Sequence, residues 1–193
     1  MGMIKELTIL EIGEIYEKYM TKDFPKNELK PLVSIERMYH LGCYKGFVLE
    51  EEQEIRAYWL LLRDVENKAY LLDYLAVISG NRGLGYGSKV LKIIQDLLES
   101  EEVIVIEAEN PQKACNIEEK QLQERRLDFY RRNGVIFTNL ASVVYEAPYV
   151  IMLLSKEKKD FDVEEVTRIY MDFYEKWILG KEKCKKHLIM EKY

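Results

Sequence analysis

Three glycines alternate with other residues between positions 83 and 87, directly after an arginine, and this stretch is the best suited in the sequence to bind a ligand. It reads Arg82-Gly83-Leu84-Gly85-Tyr86-Gly87. Because glycine has no side chain, the backbone N–H groups there can approach a ligand closely. A helix is predicted to start at Gly85, so its unpaired N–H groups and positive dipole end would face the same place. The stretch therefore predicts a phosphate site.

Two common phosphate-binding motifs do not fit these residues. A P-loop needs lysine directly after its last glycine and then serine or threonine. Here Gly87 is followed by Ser88 and then Lys89. The dinucleotide fingerprint needs G-x-G-x-x-G, whereas the spacing here is G-x-G-x-G. A nucleotide-binding protein is therefore disfavoured, and a glycine-rich turn without a ligand is the structural alternative.

The same stretch resembles the acetyl-CoA motif of the GNAT acetyltransferase superfamily, in which Arg/Gln-x-x-Gly-x-Gly/Ala follows a strand. Arg82, Gly85 and Gly87 match that motif. The strand before it ends in Leu75-Ala76-Val77, which is a common strand ending at this place in the family. The resemblance implies acetyl-CoA as cosubstrate and a set of backbone groups that hold its pyrophosphate and pantetheine arm. The implied cofactor-binding residues are Leu75, Ala76, Val77, Arg82, Gly83, Leu84, Gly85, Tyr86, Gly87 and Ser88.

A second resemblance to this family concerns residues 127–135, L-D-F-Y-R-R-N-G-V. It is similar to a family helix that carries a tyrosine and ends in Asn-Gly, and it implies that Tyr130 protonates the leaving thiolate. Glu107, at the end of a predicted strand, matches an acidic position of some members and is the candidate general base. His40 and His187 both lie outside the motif region, so we do not expect a histidine base.

Other groups could take the role of base. Glu109 shares the direction of Glu107 on the predicted strand, whereas Asp73 faces the opposite side of its strand from Ala76. The acceptor could also lose its proton to water. Alternatively, each carboxylate is structural and makes a hydrogen bond or ion pair.

The resemblance implies an acetyltransferase that moves an acetyl group from acetyl-CoA to a primary amine of a small molecule or peptide. Transfer would be direct, within a ternary complex. The rival hypothesis is a non-catalytic acyl-CoA-binding sensor, which a closed acceptor cleft would favour. The loop of residues 23–31 is expected to border the acceptor pocket.

The elements that position these residues follow from hydrophobic spacing. Strands are predicted at 3–10, 43–50, 55–63, 71–77, 103–108, 135–138 with 143–145, and 149–154. Helices are predicted at 12–20, 33–41, from 85, at 122–132 and at 163–177. The apolar residues of the helix from 85 share one face, namely Val90, Leu91, Ile94, Leu97 and Leu98. Those of the last helix do the same, namely Val163, Val166, Ile169, Tyr170, Phe173 and Trp177. This order indicates a mixed α/β fold. The resemblance implies a central mixed sheet of six to seven strands flanked by helices. The polar segment 112–125 is either a solvated helix face or a wall of the acceptor pocket.

Composition sets the remaining expectations. The shift to charged residues after Ser155 predicts an acetyltransferase domain at 1–155 and a C-terminal helical extension at 156–193, packed on the domain or on a dimer mate. A net charge of −5 argues against nucleic acid as a partner. No signal peptide, membrane span or metal-ligand spacing is recognised. Three scattered cysteines, Cys43, Cys115 and Cys184, favour reduced thiols in a cytoplasmic protein.

Overall fold

The computed structural model describes residues 2–157 and 160–193, and the chain divides into two compact units. The N-terminal unit comprises Met1–Arg63 and Leu72–Ile93, and the C-terminal unit comprises Asp64–Leu71 and Ile94–Tyr193. Strand β4 (Ala69–Val77) and helix α4 (Tyr86–Leu97) each contribute residues to both units. Lys158 and Lys159, at the predicted start of the extension, lie outside the described residues.

The N-terminal unit is built on strands in the order β1-β2-β3-β4. Besides the shared β4 and α4, its elements are β1 (Met3–Leu7), α1 (Ile9–Ile15), α2 (Thr21–Asp23), α3 (Leu32–His40), β2 (Tyr44–Glu51) and β3 (Glu54–Asp64). A π-helical turn at Tyr16–Met20 follows α1. The pairs β1–β2 and β2–β3 are antiparallel. Apolar side chains of α1 and α3 supply part of its core, including Ile12, Ile15, Ile35 and Met38.

The first strand and helix meet earlier than predicted. The prediction extended the strand to residue 10, but β1 ends at Leu7 because Thr8 is the N-cap of α1. The Glu11 N–H donates to Thr8 Oγ1 at 3.4 Å, and the Thr8 N–H donates to the Glu11 carboxylate at 2.9 Å. This reciprocal capping box stabilises a helix start and overrides the apolar strand-like pattern of residues 9 and 10.

The C-terminal unit is built on strands in the order β5-β7-β6-β8. Its elements are β5 (Val103–Glu109), α5 (Ile117–Arg132), β6 (Ile136–Val144), β7 (Ala147–Ser155), α6 (Val163–Phe173), α7 (Lys181–His187) and β8 (Leu188–Lys192), with a π-helical turn at Tyr174–Ile178. The pairs β5–β7, β6–β7 and β6–β8 are antiparallel.

The mixed α/β class is confirmed, and the strand count is corrected from six or seven to eight. The segments predicted as two short strands form the single strand β6, whose register shifts between Phe137 and Ala141. Strand β8 and helix α7 were not predicted. Helix α5 begins five residues before the predicted start, because the Asn116 side chain accepts a hydrogen bond from the Glu119 N–H and caps it.

The predicted apolar faces of α4 and α6 are largely correct. Val90 and Ile94 of α4 are buried, but Leu97, assigned to the same face, is 70% exposed. Leu97 stands at the edge of the apolar stripe and is the last residue of the helix, which explains the error. In α6 the buried side chains are Val166, Ile169, Tyr170 and Phe173. Val163, predicted on the same face, is 47% exposed because it is the first residue of the helix.

Gly46 of β2 lets helix α1 approach the sheet, and this gives a test of the packing. A Cβ at Gly46 would lie 2.9 Å from Ile12 Cγ1 and 3.1 Å from its Cδ1. Gly46→Ala should therefore lower the free energy of unfolding by about 1–3 kcal/mol, measured by urea denaturation, because the core is overpacked. Gly80→Ala is the control, since a Cβ there meets nothing within 4 Å. Equal stability of Gly46→Ala and wild type would contradict this account.

Candidate functional site

The glycine turn has an exposed backbone that only glycine adopts without strain. After a 3₁₀ turn at Ser79–Asn81, Gly83 and Gly85 have φ values of +82° and +84°. A side chain is strained in this left-handed region. A Cβ at either glycine would meet no heavy atom within 4 Å, so the turn borders open space.

Helix α4 leaves its first N–H groups beside this turn. The Lys89 N–H donates to the Gly85 carbonyl at 3.0 Å, as an early hydrogen bond of the helix. The N–H groups of Tyr86, Gly87 and Ser88 precede it and have no acceptor within the helix. The partial positive charge of the helix terminus adds to them. The arrangement is therefore suited to an anion such as a pyrophosphate.

Arg82 is anchored at the edge of the turn by two contacts. Its Nη2 donates to Asp23 Oδ1 at 2.9 Å, and its Nε donates to the Val77 carbonyl at 3.3 Å. Asp23 Oδ2 in turn accepts a hydrogen bond from the Tyr58 hydroxyl at 2.9 Å. Burial, followed by the charge of Asp23, raises the pKa of Tyr58 well above its usual range. Tyr58 thus remains a donor, and the chain of contacts holds the guanidinium near the glycine backbone.

Tyr86 is a predicted cofactor-binding residue, but its side chain forms a hydrogen bond with Glu51. Its hydroxyl donates to Glu51 Oε2 at 2.6 Å, and Lys89 Nζ donates to Glu51 Oε1 at 3.1 Å. These two hydrogen bonds, that of Tyr86 first, lower the pKa of Glu51. Tyr86 can therefore serve a ligand at the turn through its backbone N–H.

The loop predicted at residues 23–31 packs on β4. Lys30 Nζ lies 2.5 Å from Asp73 Oδ1, and the Tyr44 hydroxyl donates to the other oxygen of Asp73. The Lys30 N–H donates to the Tyr74 hydroxyl at 2.8 Å, and the Phe24 ring meets the Tyr74 ring edge-on at 4.9 Å. With a side chain only 3% exposed, Asp73 is a paired carboxylate beneath this loop.

Tyr130 and Glu107 belong to the C-terminal unit, whereas the glycine turn belongs to the N-terminal unit. Tyr130 lies on α5 and is buried beside the Phe129 ring, at 5.2 Å between centroids. Burial raises the pKa of Tyr130, and the charge of Arg126 opposes that effect in part. The hydroxyl is therefore protonated at neutral pH. It forms no hydrogen bond with any residue in the described part of the chain, so it can donate to a ligand atom.

Glu107 lies where the buried run of β5 ends, and two tyrosines from α6 and the π-helical turn after it contact it. Val105 and Ile106 are fully buried, whereas Glu107 is partly exposed. The hydroxyls of Tyr170 and Tyr174 both donate to Glu107 Oε1, the latter at 2.7 Å. Glu109, the alternative base, pairs with Arg126 instead.

Sequence reasoning missed both tyrosine contacts. It placed Tyr170 on the buried face of the last helix, but it had no means to identify a polar partner 63 residues away. The available signal was two tyrosines four residues apart on a helix, which share one face.

No family model matches the sequence, and no curated protein is similar to it. Among solved structures, a Bacteroides thetaiotaomicron protein assigned to the GNAT family of acetyltransferases is 18% identical, with a TM-score of 0.73 over 92% of this chain and 99% of that one. A GNAT family acetyltransferase from Elizabethkingia anophelis, solved with acetyl-CoA bound, is 14% identical, with a TM-score of 0.57 over 80% and 97% of the two chains.

A third structure is spermidine N-acetyltransferase from Vibrio cholerae, in complex with CoA and spermine. It is 12% identical, with a TM-score of 0.55 over 79% of this chain and 94% of that one. Similarities of this extent, at such low identity, establish a shared fold. The chain has the fold of the GNAT acetyltransferases. Its glycine turn lies between a strand and a helix, as the sequence resemblance implied.

The helix that follows β5 in this GNAT fold carries a mainly solvated first half. Glu118, Lys120, Glu124 and Arg125 are exposed. A surface pocket of about 370 Å³ borders α5, lined by Pro111, Gln112, Lys120, Glu124, Leu127, Asp128, Arg131 and Tyr193. Most of segment 112–125 is thus exposed to solvent, and its role as a wall of the acceptor pocket stays a prediction.

Within residues 2–157 and 160–193, no three His, Cys, Asp or Glu side chains form a group that could hold a metal ion. No helix among those residues is long and apolar enough to cross a membrane. The three cysteines are all free thiols.

Proposed function

We propose that the protein is a GNAT-type N-acetyltransferase that transfers an acetyl group from acetyl-CoA to a primary amine of a small molecule or peptide. The observation that carries this proposal is the exposed glycine turn at the start of α4, with Arg82 anchored at its edge. It supplies backbone donors and a guanidinium in one place, which suits the pyrophosphate of acetyl-CoA. The fold, shared with a structure that holds acetyl-CoA, supports the same donor.

The donor would be held by the residues that the sequence indicated. Arg82 and the N–H groups of Gly83, Leu84, Gly85, Tyr86, Gly87 and Ser88 would contact the pyrophosphate. The end of β4, Leu75-Ala76-Val77, would pair with the pantetheine arm as an added strand. A backbone N–H there would polarise the thioester carbonyl as it becomes an oxyanion.

The proposed transfer uses one base and one acid. Glu107 takes a proton from the amine as the nitrogen lone pair forms the C–N bond to the thioester carbonyl carbon. The C–S bond then breaks with its electron pair on sulfur, and the Tyr130 hydroxyl protonates the thiolate. The products are the amide and CoA. Solvent removes the proton from Glu107 and returns one to Tyr130.

One observation favours the non-catalytic alternative, an acyl-CoA sensor. The Glu107 carboxylate is already engaged by two tyrosine hydroxyls, as expected of a structural carboxylate. A sensor would bind acetyl-CoA and acetylate nothing. Incubation of the protein with acetyl-CoA and a panel of polyamines, amino sugars and peptides with free N-termini, followed by liquid chromatography, distinguishes the two. Acetylated amine supports the enzyme, and tight binding without product supports the sensor.

We further propose a cytoplasmic location, because the three free cysteines are typical of a reducing compartment. The homodimer stays a prediction, as does the division into a domain at 1–155 and an extension at 156–193.

Arg82→Ala should weaken acetyl-CoA binding by about tenfold in isothermal titration calorimetry, the loss expected for one charge-assisted contact. Gly85→Glu should weaken it further, because it strains the backbone and directs a carboxylate at the pyrophosphate. Arg125→Ala removes an exposed arginine of α5 and is the charge-matched control. Unchanged affinity in both turn variants would place the donor elsewhere.

Tyr130→Phe should lower the turnover number by about 10²-fold, because the thiolate would leave without a positioned proton donor. Acetyl-CoA affinity and melting temperature should stay close to wild type, since the hydroxyl that is removed has no hydrogen-bond partner among the described residues. Tyr145→Phe, at an exposed tyrosine that stacks on His187, is the control. A wild-type turnover number in Tyr130→Phe would show that Tyr130 has a packing role.

Glu107→Gln should lower turnover by about 10²-fold and abolish the acidic limb of the pH–rate profile. A base must be ionised to act, so the wild-type rate falls as pH decreases through its pKa, whereas glutamine does not titrate. Glu109→Gln, on the same face of β5, is the matched control and should retain the limb. If Glu107→Gln retains the limb and only melts at lower temperature, the carboxylate is structural.

A further inference from the structure

We propose that the C-terminal extension is part of the catalytic centre, in which Tyr170 and Tyr174 are positioning residues for Glu107. This inference rests on the proposed function, and it assigns a role to a segment that neither sequence motif covers. The two tyrosines would align the carboxylate of the base.

The geometry around the carboxylate is the first support. Both tyrosine hydroxyls converge on one oxygen, Glu107 Oε1, and the Tyr170 hydroxyl also lies 2.6 Å from Ser142 Oγ. Two donors on the same oxygen resist rotation of the carboxylate about its last bond. The direction of Oε2 is then fixed as well, and a fixed direction is what general base catalysis requires.

The local helix geometry explains how one segment supplies both donors. Tyr170 lies in the last turn of α6, and Tyr174 opens the π-helical turn that follows. Residues four apart share a helix face, and the two rings are 5.0 Å apart. The π-helical turn is a rare conformation that occurs often at functional sites. Here it begins at a residue that contacts Glu107.

Burial shows that these hydroxyls are committed to Glu107. Tyr170 is fully buried and Tyr174 is 5% exposed. Burial, followed by the charge of Glu107, raises the pKa of each tyrosine well above 10, so both stay protonated and act as donors. A buried hydroxyl without a partner would be costly. The tyrosines and the carboxylate therefore stabilise one another.

The same helical segment is fixed from another side by a charged cluster. Lys176 Nζ lies 3.2 Å from Asp64 Oδ2, 2.8 Å from Glu66 Oε2 and 3.2 Å from Asp172 Oδ2. Asn67 donates to Asp172 at 2.8 Å and accepts a hydrogen bond from Arg168 at 2.5 Å. These contacts involve neither Glu107 nor its tyrosines. They provide a control that loosens the helix without changing the donors to the base.

Two readings of the tyrosines make different kinetic predictions. If Glu107 only anchors the helix, removal of a hydroxyl lowers stability and leaves the turnover of folded enzyme unchanged. If the tyrosines position a base, turnover falls while the affinity for acetyl-CoA is preserved, because the donor site is not altered.

The test compares Tyr170→Phe and Tyr174→Phe with Lys176→Gln, each below its melting temperature. Wild type is assayed first, by calorimetry with acetyl-CoA and by turnover of the most active amine of the panel. We expect each Tyr→Phe variant to lower kcat by about tenfold, the value of a hydrogen bond to a charged group, with acetyl-CoA Kd unchanged. Lys176→Gln should lower melting temperature and preserve kcat.

A double-mutant cycle completes the test. In a Glu107→Gln background, Tyr174→Phe should lower kcat no further, because the tyrosine acts through the base that is already lost. The inference is overturned if the Tyr→Phe variants keep wild-type kcat, if Lys176→Gln lowers kcat as much as they do, or if the effects add in the double variant. Failure of the proposed function is a separate result, since wild type would then acetylate no amine.

Discussion

The chain can enter helix α4 directly from the turn only because two residues adopt a backbone conformation that side chains disfavour. Gly83 and Gly85 have φ near +80°, and the space beside each is open, so the constraint is conformational and not steric. The same conformation leaves the backbone bare at the helix N-terminus. Arg82 is anchored one residue before the first of these glycines. The fold of the turn and the anion site that we propose thus depend on the same few residues.

Two carboxylates that were candidates for the base are held in chemically different ways. Lys30 brings a full positive charge to Asp73, so that carboxylate is largely neutralised by an ion pair within the N-terminal unit. Tyr170 and Tyr174 bring hydroxyl donors and no charge to Glu107. Donors of this kind orient a carboxylate and leave its negative charge in place. A base needs both orientation and charge, so the ion pair to Lys30 counts against Asp73 in that role.

Local patterns could be predicted from the sequence, and contacts between distant segments could not. The arginine, the glycines and the apolar stripe of α4 are consecutive in the chain, so their spacing indicated the turn and the helix after it. The N-cap at Thr8 was also local, but the apolar residues after it suggested a longer strand. Strand β8 was missed because its five residues pair with β6, almost fifty positions earlier, and carry little alternation of their own.

In the candidate site, too, the contacts between distant segments could not be predicted from the sequence. The family resemblance pointed to Glu107 as a candidate base, but the tyrosines that contact it come from a helix more than sixty residues later. The sequence did predict that Tyr170 lies on a buried face, and that is correct. Hydrophobic spacing reports burial only, so it cannot tell a packed tyrosine from one that donates to a carboxylate.

Three buried tyrosines illustrate why hydrogen bonding, and not burial, separates the proposed roles. Burial raises the pKa of Tyr130, Tyr170 and Tyr174 alike, so a shifted pKa does not distinguish them. The hydroxyls of Tyr170 and Tyr174 donate hydrogen bonds to Glu107. Such a donor can orient the carboxylate, but its proton is not available to a second group. The Tyr130 hydroxyl has no such partner among residues 2–157 and 160–193. This difference is why we propose Tyr130 as the acid and the other two tyrosines as residues that position Glu107.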